Sequence, residues 1–239
     1  MRVVMFYHSL VSDWNHGNAH FLRGIVTEML ARGIDVDVYE PRNAWSVENL
    51  LKEHGDAPLE EFKTAYPALS SIRYDPRKLN LDDALDGADM VIVHEWNEHD
   101  LVARIGKHHE RVGGYRLYFH DTHHRAVTAP DEISEYDLSR YDGVLAYGNV
   151  IRELYLKNRW TKRAWTWHEA ADDRVFYPRT ISSDRPRYDL IWIGNWGDEE
   201  RSDEIREYLI EPVKQLGLKA LVHGVRYPKK ALKELEQAG

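Results

Sequence analysis

The chain holds 239 residues, with 32 lysines and arginines against 40 aspartates and glutamates, for a formal net charge of −8. Apolar residues at 43% and charged residues at 30% are the balance of a globular protein and exclude a disordered or membrane-embedded one. Cysteine is absent, which excludes disulfides, thiolate catalysis and cysteine-ligated zinc, and the acidic balance argues against a nucleic-acid partner, since phosphates call for a basic face.

The first apolar run, Val3–Phe6, breaks at His8 and Ser9, too soon for a signal peptide. Nothing approaches the roughly 20 apolar residues of a membrane span. A soluble, cytoplasmic protein with no integral membrane segment is expected, its oligomeric state unknown. Eight short aliphatic runs are predicted as strands: Val3–Tyr7, Val36–Tyr39, Met90–His94, Arg116–His120, Gly143–Ala146, Arg163–Trp167, Leu190–Ile193 and Ala220–His223. They lack strict in/out alternation, as strands buried on both faces do. After the first run, Phe21, Leu22, Ile25, Val26, Met29 and Leu30 mark one face of a helix. Asn18 is placed to cap its start and Gly33 to end it. Strand–helix–strand repetition with short connections predicts an α/β fold: a Rossmann-like parallel sheet with helices on both faces.

Prolines 41, 58, 67 and 76 break the next stretch into short helices near Val47–Lys52 and Leu59–Tyr66, read as an excursion on the sheet. The polar stretch Pro178–Arg187 is the clearest boundary. It sets residues 1–179 apart from residues 188–239, which read strand, helix (Ser202–Leu216, stopped by Gly217), strand, helix (Lys229–Gln237). So small a unit has little apolar surface to bury; either it packs onto the first domain or, as expected, the chain is the front part of a longer, here truncated, protein.

Ligands of open α/β sheets collect at the carboxyl ends of the strands. The loop from His8 to His20 enters a helix there, and Gly17 and Asn18 could hold a phosphate through free backbone N–H groups. An ordinary helix cap would use the same residues. No dinucleotide or P-loop signature is present. Histidines follow three strands: His94-Glu95, His120-Asp121 with His123 and His124, and His168-Glu169. Each can act as a base, bind a sugar hydroxyl or face a phosphate, or simply pack. The sets His94, Glu95, His99, Asp100 and His120, Asp121, His123, His124 are adequate metal donors but lack the spacing of two imidazoles one helical turn apart. No metal is assigned, and a metal-dependent hydrolase stays open as an alternative. Trp14, Trp96 and Trp196 fall in strand-end loops, where they could stack on a sugar or base or pack.

The segments 16–41, DMVIVHEW (89–96), RLYFHD (116–121), YDGVLAYGNVIRELY (141–155), EAADDRVFYP (169–178), LIWIGNW (190–196) and ALVHG (220–224) resemble, in order and spacing, GT-B glycosyltransferases. The closest flavour is the spore-maturation-protein-like subgroup. The resemblance implies a GT-B N-terminal, acceptor-side domain followed by an incomplete nucleotide-sugar-binding domain. It implies a metal-independent, hexosyltransferase-type enzyme, inactive or poorly active as this chain, with a nucleotide-diphosphate sugar as donor substrate, no cofactor, and a small-molecule or glycan acceptor. Gly17 and Asn18, with Gly194, Asn195 and Arg201 from the second domain, fall where donor phosphates are held. His120 or His20 would be the catalytic histidine, with a neighbouring carboxylate such as Asp121 orienting the ring. A noncatalytic sugar- or nucleotide-binding module is the alternative. Where the family has Asn-Gly before a late aspartate, this chain has Glu169-Ala170.

Overall fold

The computed structural model describes residues 1–14, 17–180, 187–197 and 199–238. His16, Asp198 and most of the expected boundary stretch lie outside the described residues. The chain divides into two compact units, Met1–Tyr177 and Pro178–Gly239.

In the first unit β1 (Arg2–Phe6), β2 (Asp35–Pro41), β3 (Ser71–Tyr74), β4 (Met90–His94), β5 (Arg116–Asp121), β6 (Gly143–Ala146) and β7 (Ala164–Thr166) form one parallel sheet. Their order is β3-β2-β1-β4-β5-β6-β7. Both faces are covered, which is why the inner strands read as unbroken apolar runs: Val3, Val4, Met5 and Phe6 are all fully buried. On one face Val3, Met5, Tyr7 and Ile92 pack with Leu22 and Val26 of helix α1 (Asn18–Ala31). Burying each of these aliphatic side chains contributes about 1.5–3 kcal/mol. On the other face Val4, Phe6, Val93, Leu117 and Phe119 meet Leu101 and Ile105 of an amphipathic helix over His99–Val112. Tyr155, from the helix Asn149–Lys157, joins the same face.

Helices α2 (Trp45–His54) and α3 (Ala57–Ala65) occupy the proline-rich stretch. The sequence does not announce β3, which follows them. It is an edge strand paired only to β2, so it needs no continuous apolar run, and Ile72 is left exposed. Helix α1 also differs from expectation at its start. Gly17, not Asn18, is the N-cap residue, and it makes no side-chain cap. Asn18 is instead the first helical residue, and its amide donates to the Thr122 hydroxyl just past β5.

The second unit pairs β8 (Leu190–Ile193) in parallel with β9 (Ala220–His223). A helix over Glu199–Ile205 passes through a wider π-type turn over Arg206–Ile210 into another over Glu211–Leu216, which ends at left-handed Gly217. Pro212 accounts for the wide turn: it has no N–H, and in regular α geometry its ring would collide with the carbonyl one turn back. A helix over Lys229–Glu236 follows. Trp196, Ile205, Leu209, Ile210, Val213 and Ala231 form this unit's own core, whereas Ile191 and Ile193 face outward from β8.

Candidate functional site

Strand order reverses between β1 and β4, so the loops leaving these strands part and open a crevice at their carboxyl ends. Side chains on the α1 face converge there. His94 and His120 are register partners, with ring centroids 5.7 Å apart. The Tyr7 hydroxyl lies 2.6 Å from His120 Nδ1. Burial, with a smaller contribution from Glu169, holds Tyr7 well above its ordinary value, so the phenol keeps its proton and donates it to Nδ1. Burial alone lowers His120 to about 3, so its imidazole is neutral and carries its proton on Nε2. That Nε2 is buried and meets no hydrogen-bond partner among the described residues. Trp167 and Phe21 cover the ring, with centroids at 4.8 and 5.8 Å.

Thr122 links the two sides of the crevice. Its hydroxyl donates to Glu95 Oε1 at 3.1 Å and accepts from the Asn18 amide, with His94 Nε2 at 3.0 Å. The Trp96 N–H donates to His94 Nδ1, so Nε2 is the protonated nitrogen of that ring. Asn18 thus pins the first turn of α1 against β4 and β5. The preceding loop is held by Arg23, buried in α1. It donates to the carbonyls of Leu10 and Val11 and to Asp13 Oδ2, and lies over the rings of Phe62 and Tyr66. His20 is half-exposed one turn into α1, with Nε2 3.6 Å from Asp13 Oδ2 and its ring edge-on to Phe176. Desolvation, then Arg23, lowers it below its ordinary value against the opposing pull of Asp13.

Asp121 does not orient His120, and here the structure corrects the sequence reading. Side chains alternate along β5, so these neighbours in sequence point to opposite faces. Asp121 accepts from the Tyr155 hydroxyl at 2.7 Å and the His123 N–H at 2.9 Å, and hydrogen-bonds Glu95. Burial and the Glu95 charge raise it well above the usual carboxylate range. Arg125 neutralises Glu95 at 2.8 Å and stacks over the exposed Trp96 ring. The same alternation separates His94 and His120 from Glu95 and Asp121. Among the described residues, no group of three or more His, Asp and Glu side chains is arranged to hold a metal ion. Of the three loop tryptophans, Trp14 and Trp196 are buried and Trp96 is exposed.

Glu169, named with His168 by its strand-end position, is set apart by its surroundings. The residue is exposed, but its carboxyl is crowded by protein, and this desolvation pushes it up to about 7. Its charge is felt at Tyr7 and Tyr147. Gly17 has φ −62°, so its backbone does not demand glycine; a side chain there would meet nothing within 4 Å, which leaves open space beside the start of α1.

In the second unit Gly194, Asn195 and Arg201 line one cavity of about 370 Å³ at the carboxyl end of β8. Asn195 Oδ1 accepts the Val225 N–H, and the Tyr227 hydroxyl donates to the Gly194 carbonyl. Gly224 makes the approach possible: a Cβ there would stand 1.8 Å from the Gly194 oxygen. The sequence signal for it, a glycine directly after β9, repeats the Gly194 pattern.

No protein-family model and no curated protein matches the sequence. Among solved structures, an alpha-glucosyltransferase in complex with UDP and a 13-mer DNA containing a HMU base is similar over 99% of this chain and 60% of its own, at 13% identity and a TM-score of 0.57. A complex with UDP-glucose and DNA containing an abasic site gives the same coverage and identity at 0.54. A complex with UDP gives 12% identity over 99% of this chain and 61% of its own, at 0.52. At such identity the likeness is one of fold, and the chain spans about 60% of the length of these structures. They also overturn the expectation that a nucleic-acid partner is excluded, because this fold is carried by proteins in complex with DNA. Net charge is a sum over the whole chain, whereas contact with phosphates is decided by local patches. No described helix is long and apolar enough to cross a membrane. The chain has a glycosyltransferase-like, Rossmann-type α/β fold.

Proposed function

We propose that this chain belongs to an enzyme that transfers a sugar from a nucleotide-diphosphate donor, with the second unit contacting the nucleotide and the first unit shaping the reacting side. The observation that carries this reading is the convergence of Gly194, Asn195 and Arg201 on one cavity, in a fold shared with UDP-bound glucosyltransferases. The neighbours support a glycosyltransferase-like fold in general rather than the spore-maturation-like subgroup, and their DNA acceptors bring a nucleic-acid hydroxyl among the acceptors to be tested.

The departing diphosphate needs its developing charge met, and Arg201 supplies a guanidinium at the cavity without calling on a metal. A neutral, deeply buried imidazole whose conjugate acid is strong makes a poor base, so His120 serves as a hydrogen-bond donor through Nε2 that steadies a sugar hydroxyl or the crevice wall. His20 is the better proton acceptor: it is reachable, has Asp13 beside it, and is neutral already below its ordinary titration range. Glu169, poised near neutrality, is the alternative base.

Calorimetric titration of the 239-residue chain with UDP tests the donor site. Binding is expected, weakened about tenfold or more in Arg201→Ala by loss of a charge-assisted contact. UDP affinity that ignores this substitution sinks the reading. Binding without hydrolysis or transfer of UDP-glucose assigns the noncatalytic module instead.

A further inference from the structure

A cavity of about 590 Å³ in the first unit has no part in the crevice described above. It opens beside the carboxyl ends of β2 and β3, against the short helix α4 (Leu81–Leu85), and Tyr39, Arg42, Tyr74, Asp75, Lys78 and Asp83 are among the residues lining it. Its charges balance in number, two cations against two carboxylates, but they are unevenly engaged. Both carboxylates are engaged: Asp75 accepts the Arg77 N–H at 3.0 Å and faces Lys78 at 3.8 Å, while Asp83 accepts the Asn80 amide at 2.6 Å. The Arg42 guanidinium, exposed, meets no hydrogen-bond or ion-pair partner among the described residues, and neither does the Tyr39 hydroxyl. Lys78 has three N–H donors and only a long contact to Asp75. The cations are therefore the less engaged half of the lining: each carboxylate already accepts a hydrogen bond within the protein, whereas the Arg42 and Lys78 side chains donate none among the described residues, and they suit a ligand that brings negative charge and acceptor oxygens.

The pocket is also tied to the crevice. The Tyr74 hydroxyl donates to Asn97 Oδ1 at 3.4 Å, and the Asn97 amide donates to the carbonyls of His94 and Phe6 at 2.8 and 2.9 Å. From β2 to β5 is three strand spacings, about 14 Å in all.

We infer that this pocket is an anion subsite in which Arg42, Lys78 and the Tyr39 hydroxyl hold a phosphate or carboxylate group. Resting on the sugar-transfer reading, the anionic group belongs to the acceptor. Arg42 grips it in the plane of its guanidinium and Lys78 adds a point charge.

Calorimetry on the full chain tests this with glucose 6-phosphate, glucuronate and glucose as probes. The anionic probes are expected to bind at least tenfold more tightly than glucose, and the stronger of them identifies phosphate or carboxylate as the group held. Arg42→Gln should weaken them tenfold or more, and Lys78→Gln and Tyr39→Phe by smaller factors, with circular dichroism and UDP affinity unchanged. Equal binding of glucose, indifference to Arg42→Gln and Lys78→Gln, or a parallel loss of UDP affinity in Arg42→Gln overturns the proposal. Failure of UDP to bind while the anionic probes still depend on Arg42 overturns the sugar-transfer reading alone and supports the anion site.

Discussion

Asp121 shows how far one residue's role depends on which way its strand turns it. Beside His120 in sequence it reads as the carboxylate of an acid–base pair; in space it is a buried carboxyl wedged between Tyr155 and Glu95, and burial with the Glu95 charge raises its titration. A carboxyl whose folded value is raised binds a proton that the unfolded chain has already released. Its stabilisation is therefore complete below the ordinary carboxylate range and is lost as pH climbs through the raised value. Wild-type stability is expected to decline across that window by up to about 1.4 kcal/mol per pH unit. Asp121→Asn keeps the Tyr155 contact and cannot ionise, so it should flatten the decline and be the more stable protein at pH 8. Urea unfolding at pH 5, 6.5 and 8 measures both, and parallel profiles for the two proteins would count against the protonated state.

Elements place the site more than single residues do. The order reversal at β1 and β4 opens the crevice, and α1 fills one wall because its apolar stripe needs the sheet face carrying Met5, Tyr7 and Ile92. In the second unit the two strand ends touch: the Gly194 carbonyl occupies the volume any side chain at position 224 would need. Gly224→Ala must spread β8 from β9 or twist the loop, at a cost of about 3 kcal/mol. Hydrogen exchange should report faster opening in residues 188–197 and 219–227 with β1 and β4 unchanged, together with weaker UDP binding. An unaltered exchange pattern would mean that the loop accommodates the methyl group.

At the scale of the whole molecule two units with separate cores imply two stabilities. The larger sheet is covered on both faces, while the smaller unit leaves Ile191 and Ile193 outward and buries a smaller fraction of its surface. In rising urea, peptides from 188–238 are expected to lose hydrogen-exchange protection before those of β1, β4 and β5. A single shared transition would show that the units unfold as one.

The division between what was readable and what was not follows interaction range. Unbroken apolar runs such as Val3–Phe6 and Met90–Val93, a helical stripe from Phe21 to Leu30 and a left-handed Gly33 are local signals, and they determined the parallel α/β class and most element positions. Strand β3 escaped because an edge strand carries no such run. Candidate histidines were visible by type and strand-end position, since carboxyl ends gather polar residues. Which face each side chain takes, what buries it and what it touches were settled by packing. Tyr7 above His120, Asn18 reaching Thr122, Asp121 turned to Tyr155 and Glu169 tuned by its surroundings join residues up to 113 positions apart, and contacts at that separation exist only once the sheet has formed.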